Sequence, residues 1–246
     1  MLQINAISKR YNSNQMVINK LSFSIEAGVV FGLLGPNGSG KSTTINCITG
    51  IYPVDEGDII IDGYNIAQNP LDAKRKVGYV PDNSNMFLHL RGIEYLEFLQ
   101  KIYRINDNHF RNIIQELAHK FEMVKALNDF IQNYSFGMRK KLFIIGSLLQ
   151  SPKVWILDEP FNGLDPKAVF GLKTLMRSYC DKGNVVLFST HLLDIAQQVC
   201  DRVGILNKGN LILNGDFEEI QNNLKTKDSL EKLFLELTND EYNAFT

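Results

Sequence analysis

One octapeptide constrains this chain more than any other feature: Gly35-Pro36-Asn37-Gly38-Ser39-Gly40-Lys41-Ser42. It stands between an apolar run, Val29-Val30-Phe31-Gly32-Leu33-Leu34, and a segment of helix-compatible spacing, Ser42 to Gly50. The pattern GxxxxGK[ST] set between strand and helix describes a phosphate-holding loop. Glycines let the backbone curl so that successive N–H groups face one point, and the helix start adds a dipole that favours an anion. Lys41 supplies charge and Ser42 a hydroxyl oxygen for Mg²⁺. A plain glycine-rich turn has no need of Lys and Ser at these places, so Gly35 to Ser42, with Thr43 behind them, are expected to line a phosphate site.

Three further apolar runs end in polar residues. Val154-Trp155-Ile156-Leu157 ends in Asp158-Glu159, Val185-Val186-Leu187-Phe188 in Ser189-Thr190-His191, and Val77-Gly78-Tyr79-Val80 in Pro81-Asp82. Open α/β sheets bind ligands outside the carboxyl ends of their strands, so the four ends define one nucleotide site. In such sites the first acid, Asp158, assists Mg²⁺, and a second carboxylate, Glu159, polarises the attacking water. Taken alone, Glu159 could be a solvated loop acid and His191 a structural histidine.

The remaining pattern sets the architecture. Leu2 to Glu26 alternates as short strands around a turn at Tyr11-Asn12-Ser13-Asn14, which predicts an antiparallel opening sheet. Gly57 to Gly63 reads as a strand with Ile59 and Ile61 on one face. From 83 to 150 the period turns helical, with Phe110, Ile113, Ile114 and Leu117 on one stripe. Strands resume at Val154, Val185 and Val203 to Leu206, and Ser229 to Leu237 predicts a tail helix. A single domain over 1–246 is therefore expected: 1–82 and 151–220 form the nucleotide-binding core, 83–150 a helical insertion, and 221–246 a helical tail.

Composition excludes several classes. The chain has 246 residues, 26 Lys plus Arg against 27 Asp plus Glu and a net charge of −1, which fits neither a nucleic-acid-coating protein nor an acidic disordered tail. No nucleic-acid partner is expected. The apolar runs are shorter than the ~18 to 20 residues of a membrane-spanning helix, and Met1 to Asn5 lack the marks of a secretory signal, so a cytosolic chain that does not cross a bilayer is expected. Cys47, Cys180 and Cys200 are far apart and read as buried free thiols.

Ahead of the Asp158 strand lies Tyr134-Ser135-Phe136-Gly137-Met138-Arg139-Lys140-Lys141. Ser135 is a plausible N-cap for an amphipathic helix. Positive charge in a first turn opposes the helix dipole, so Arg139 to Lys141 hint at an approaching anion; the plainer reading is a solvated basic patch.

With this segment in view the chain resembles, over nearly its whole length, the ATP-binding cassette family, the nucleotide-binding subunits of ABC transporters. Tyr134 to Met138 resemble its LSGGQ signature, Asn162-Gly163-Leu164-Asp165 its D-loop, and His191 its switch histidine. Tyr11 lies where the family carries an aromatic that stacks on adenine, although a turn tyrosine packing locally fits the sequence nearly as well. The implied fold class is α/β, a P-loop NTPase with a mixed or parallel sheet core, an antiparallel β subdomain and an inserted α-helical subdomain. The implied partner is a second nucleotide-binding domain, identical or related, in a head-to-tail dimer that sandwiches two ATP. In it Lys41 holds the β and γ phosphates, Ser42 and Asp158 the Mg²⁺, Glu159 the water and His191 the γ-phosphate, while Ser135 and Gly137 act in trans and Asp165 couples the two sites.

Two departures stand out. Asp82 replaces the family's Q-loop glutamine, making that metal and water ligand an acid, and Phe136 and Met138 replace Gly and Gln of the signature. These features and the terminal Leu230 to Leu237 are similar to bacterial exporters of drugs, antibiotics and bacteriocins. The resemblance implies an ATPase held at the cytoplasmic face of the membrane by a separate transmembrane permease, touched through Asn83 to Tyr95. Two alternatives stay open: a soluble ABC ATPase in a cofactor-assembly complex, and a binding-only module motivated by Asp82.

Overall fold

The protein is described by a computed structural model over residues 1–11, 15–216 and 219–220. In chain order come β1 (Leu2–Arg10), β2 (Met16–Ile25), β3 (Val30–Leu34), α1 (Lys41–Ile48), β4 (Glu56–Ile61), β5 (Tyr64–Asn65), α2 (Pro70–Arg75) and β6 (Val77–Val80). Then follow α3 (Gly92–Tyr103), α4 (Asp107–Lys120), α5 (Phe136–Leu148), β7 (Val154–Leu157), α6 (Pro166–Cys180), β8 (Val185–Thr190), α7 (Leu193–Val199), β9 (Arg202–Asn207) and β10 (Asn210–Asp216).

A six-stranded sheet in the order β10-β9-β3-β8-β7-β6 carries the site. Its strands β9, β3, β8, β7 and β6 run parallel, and β10 closes one edge antiparallel to β9. Parallel strands buried on both faces must be apolar at every position rather than at alternate ones. That is why Val154-Trp155-Ile156-Leu157 carries no polar residue: all four are fully buried. The pleat sends Trp155 and Leu157, with Val186 and Phe188, into a core shared with Leu96, Phe110, Leu142, Leu172 and Met176 of α3 to α6. Val154, Ile156, Val185 and Leu187 face the other way, against Ile45 and Ile48 of α1 and the antiparallel strands.

Those antiparallel strands form a second sheet, in the order β2-β1-β4-β5. The opening hairpin pairs as its alternation predicts, and the Gly57 to Gly63 strand joins it, Ile59 opposite Ile4 and Ile61 opposite Leu2. Both of these isoleucines are buried.

The helical stretch is set by its caps as much as by its stripe. Asn106 accepts from the His109 amide at 2.9 Å to begin α4, and Ser135 accepts from the Met138 amide at 3.2 Å to begin α5. Such caps contribute about 1 kcal/mol each. Phe110 and Leu117 of the expected α4 stripe are buried, while Ile113 and Ile114 are half-buried against the same core. The sequence pattern does not predict the edge strand β10. The expected Ser229 to Leu237 helix and Asn12 to Asn14 of the first turn lie outside the described residues. Among the described residues no helix is long and apolar enough to cross a membrane.

Candidate active site

Strands β3, β6, β7 and β8 end on the same side of the sheet, and the residues that follow them meet around one cleft. It encloses about 530 Å³ and is lined by Asn37, Gly38, Gly40, Lys41, Ser42 and Thr43, with Asp82 and Glu159 opposite. The loop between β3 and α1 turns through Gly38 at φ 81° and Gly40 at φ 108°, conformations that a side chain would strain. Gly40 is also the N-cap of α1, so no side chain caps the helix and no acid occupies its first turn. The orphan amides of that turn are left for an anion.

Lys41 is almost fully buried, its ammonium donating to the carbonyls of Gly35 at 2.8 Å and Pro36 at 3.1 Å. Glu159 Oε1 lies 3.7 Å away. Burial pulls the Lys41 ammonium below its ordinary value, against the opposing pull of the Glu159 and Asp158 carboxylates. Ser39, the remaining loop residue, is buried, and its hydroxyl has no hydrogen-bond partner among the described residues.

Asp158 is buried at the tip of β7, where its Oδ1 accepts from Ser42 at 3.2 Å and from Ser189 at 2.6 Å. Burial raises its carboxyl above the ordinary carboxylate range, and the two hydroxyls work against that rise. Ser189 has a second task, accepting the Glu159 amide at 2.9 Å. Glu159 itself sits at φ 45°, a left-handed conformation uncommon outside glycine. Its two oxygens each lie 3.2 Å from His191 Nδ1. Such strain at a carboxylate persists only where the surroundings over-determine it, and here Ser189 and His191 do so.

Ser42 and Asp158 present hard oxygens within one hydrogen bond of each other, the donor type that Mg²⁺ takes when substrate phosphates complete its shell. Asp82 borders the cleft half-exposed, its Oδ1 3.6 Å from the Lys140 ammonium. Tyr11 lines the other end beside Met16 and Val17. Its hydroxyl meets Thr43 Oγ1 at 2.9 Å and its ring stands edge-on to Tyr52 at 5.8 Å, so it packs locally and borders the cleft at once.

Ser135, Gly137 and Asp165 do not line the cleft. The segments that carry them, Ser135 to Lys141 and Gly163 to Asp165, meet each other instead. A β-carbon at Gly137 would stand 2.5 Å from the Gly163 carbonyl oxygen, and one at Gly163 would stand 2.3 Å from the Phe136 ring. Asp165 caps α6 by accepting the Ala168 amide at 2.9 Å and pairs with Lys141 at 2.7 Å.

The three basic residues Arg139 to Lys141 find their partners within the chain. Arg139 donates to the Tyr134 carbonyl and to Asn85, Lys140 is fully buried, and Lys141 is held by Asp165. All three charges are used inside the chain, so neither a phosphate nor bulk solvent is needed to satisfy them. Sequence reasoning also missed Ser189, whose signal was a hydroxyl at the end of an otherwise apolar strand, and Gln15 and Lys208, which line the cleft without a motif.

The sequence family described as ABC transporter matches residues 18–162. The ABC-type transporter ATP-binding protein EcsA of Bacillus subtilis (strain 168) is 33% identical over 242 residues, 98% of this chain and 98% of that protein. The linearmycin resistance ATP-binding protein LnrL of the same organism is 34% identical over 215 residues, 87% of this chain and 69% of that one. A solved structure described as an ATP binding subunit of an ABC transporter superposes with a TM-score of 0.91 at 32% identity, covering 97% of this chain and all of that one.

Proposed function

This chain belongs to the ABC transporter ATP-binding family, and from that membership we propose that it hydrolyses ATP with Mg²⁺ in the cleft above to power a separate membrane permease, as an exporter. The observation that carries the reading is the meeting of Lys41, Ser42, Asp158, Glu159 and His191 at the strand ends. Lys41 leaves its loop carbonyls for the β and γ phosphates, and the orphan amides of α1 bind the same oxygens. Ser42 and Asp158 hold Mg²⁺, which neutralises charge on those phosphates. Glu159 orients the attacking water and takes its proton, while His191 steadies Glu159 through Nδ1 and turns its other nitrogen to the γ-phosphate.

The dimer reading is supported by what the cleft lacks. Ser135 and Gly137 lie on the chain's own surface away from the cleft, so they serve a nucleotide held by a second copy or a related chain. Asp165, tied to Lys141 of the signature helix, relays between the two sites. The permease contact at Asn83 to Tyr95 is supported by exposed Met86 and Phe87, with the Phe87 ring tilted against Tyr95 at 5.1 Å and against the half-exposed Phe98 at 5.9 Å. An apolar ring cluster left at the surface marks a partner site. The permease would hold this chain at the cytoplasmic face of the membrane, and the resistance role in the name of LnrL favours export over the soluble cofactor-assembly alternative.

The test is co-purification. A tagged Glu159→Gln chain, extracted from native membranes in mild detergent with ATP present, should bring down a stoichiometric polytopic membrane protein. Recovery with soluble partners alone, and absence from the membrane fraction, would overturn the transport reading.

A further inference from the structure

The chemistry assigned so far makes no use of one buried cation. Lys140, on the second turn of α5, has no exposed surface. Its ammonium donates to the carbonyls of Pro81 at 3.2 Å and Asp82 at 3.1 Å, just beyond β6, and reaches the Asp158 carbonyl at 3.4 Å, at the tip of β7. Asp82 Oδ1 at 3.6 Å is its ion-pair partner, and the Phe136 ring covers it at 5.6 Å. Removing an ammonium from water costs several kcal/mol unless charge and hydrogen bonds replace the lost solvation. A neutral side chain could fill the space, so the charge itself needs a reason.

The reason lies in which segments it joins. Pro81-Asp82 and Asp158 belong to two different walls of the cleft, and α5 begins with the signature residues. The neighbouring basic residues tie the same helix to Asn85 and to Asp165. Lys140 is the member of this triplet that touches the backbone of a proposed metal ligand on each wall.

We propose that Lys140 is a positioning residue of the ATPase site, whose ammonium pins the turn after β6 to the tip of β7 and balances the carboxylate of Asp82, so that the two residues work only as a matched pair. The proposal rests on the reading of the cleft as an ATPase site. Removing Asp82 takes the nearest carboxylate from the buried ammonium and leaves it only Asp158 and Glu159, and removing Lys140 leaves Asp82 without its ion-pair partner; removing both leaves a neutral contact in which a glutamine at 140 still donates to the carbonyls.

The experiment compares the whole chain with Asp82→Gln, Lys140→Gln and the double variant, reading the thermal midpoint without nucleotide and kcat and KM for MgATP. Lys140→Gln should lower kcat about tenfold while KM moves less than about threefold, because the wall and not the phosphate grip is disturbed. Asp82→Gln should lower the midpoint by about 2–4 °C, although a half-exposed acid away from such a partner is silent on stability. The double variant should recover kcat to within about threefold of the parent and regain most of the midpoint. Equal kcat losses from Lys140→Gln in the parent chain and in the Asp82→Gln variant, or an unchanged midpoint in Asp82→Gln, would overturn the pairing. If Lys140→Gln does not fold, the midpoint of Asp82→Gln decides alone. A parent chain without Mg²⁺-dependent phosphate release would defeat the ATPase reading instead, and the midpoints would still judge the pair.

Discussion

Replacing Gly137 by alanine sets two effects of opposite sign against each other. Gly137 is the second residue of α5, and alanine inside a helix is favoured over glycine by about 0.8–1.0 kcal/mol. Its new β-carbon, however, would stand 2.5 Å from the Gly163 carbonyl oxygen. A relaxed carbon–oxygen contact is about 3.3 Å, so helix and loop must part by roughly 0.8 Å. The loop cannot yield freely, because Gly163 is itself pressed against the Phe136 ring and Asp165 is held by Lys141. Overpacking of this kind costs about 1–3 kcal/mol, leaving a net loss of about 1 kcal/mol. For a chain of this length that lowers the thermal midpoint by about 2–4 °C. Gly171 in α6 gives the matched control, since a β-carbon there meets nothing within 4 Å. Gly171→Ala should therefore raise the midpoint by a similar amount. Both are read by calorimetry on the nucleotide-free chain, and Gly137→Ala should also lose ATPase activity as the signature start moves off the Asp165 loop. A Gly137→Ala midpoint that rises alongside the control would refute the packing argument.

Four other outcomes follow from the structure. Ser189→Ala removes a donor to buried Asp158 and an acceptor for the Glu159 amide, so it should destabilise by about 1–3 kcal/mol in urea titrations and depress kcat more than KM. Tyr11→Phe loses only the Thr43 hydrogen bond, whereas Tyr11→Ala also loses the ring; binding of a fluorescent ATP analogue should weaken clearly only in the second. Burial pushes the Cys47 and Cys180 thiols up to about 11, so both stay protonated at pH 8 and should resist Ellman's reagent until urea unfolds the chain. Because these thiols ionise near 9.0 once unfolded, they also make stability fall as pH rises from about 9 toward 11, which urea midpoints at the two pH values would record.

What the sequence made legible was local or periodic. The phosphate loop is contiguous, so its spacing alone carries the strand–loop–helix geometry. Val154 to Leu157 reads as a strand because both of its faces are buried and no position tolerates a polar side chain. Asp158 and Glu159 stand out as acids that end such a run. Long-range partners left no such trace. Lys140 finds its carbonyls 58 and 59 residues away, and Lys141 its acid 24 residues away, so the triplet looked like a surface patch until the fold closed. Ser189 reaches Asp158 across 31 residues, and a serine at a strand end has many commoner uses. The β10 strand alternates only half-buried positions with exposed ones, a weak pattern that its antiparallel pairing with β9 supports. Gly137 is legible as a signature glycine, but the Gly163 contact that requires it is visible only in three dimensions.

The measurement that bears most directly on the central claim is phosphate release from ATP by the purified chain, with and without Mg²⁺, beside the Glu159→Gln variant, with bound ATP measured on the same samples. The parent chain should release phosphate only with Mg²⁺. Glu159→Gln should keep its ATP and slow release by about 10²–10⁴-fold, the share of a positioned general base. Release by Glu159→Gln at the parent rate would contradict the assignment of this cleft and of the carboxylate held against His191.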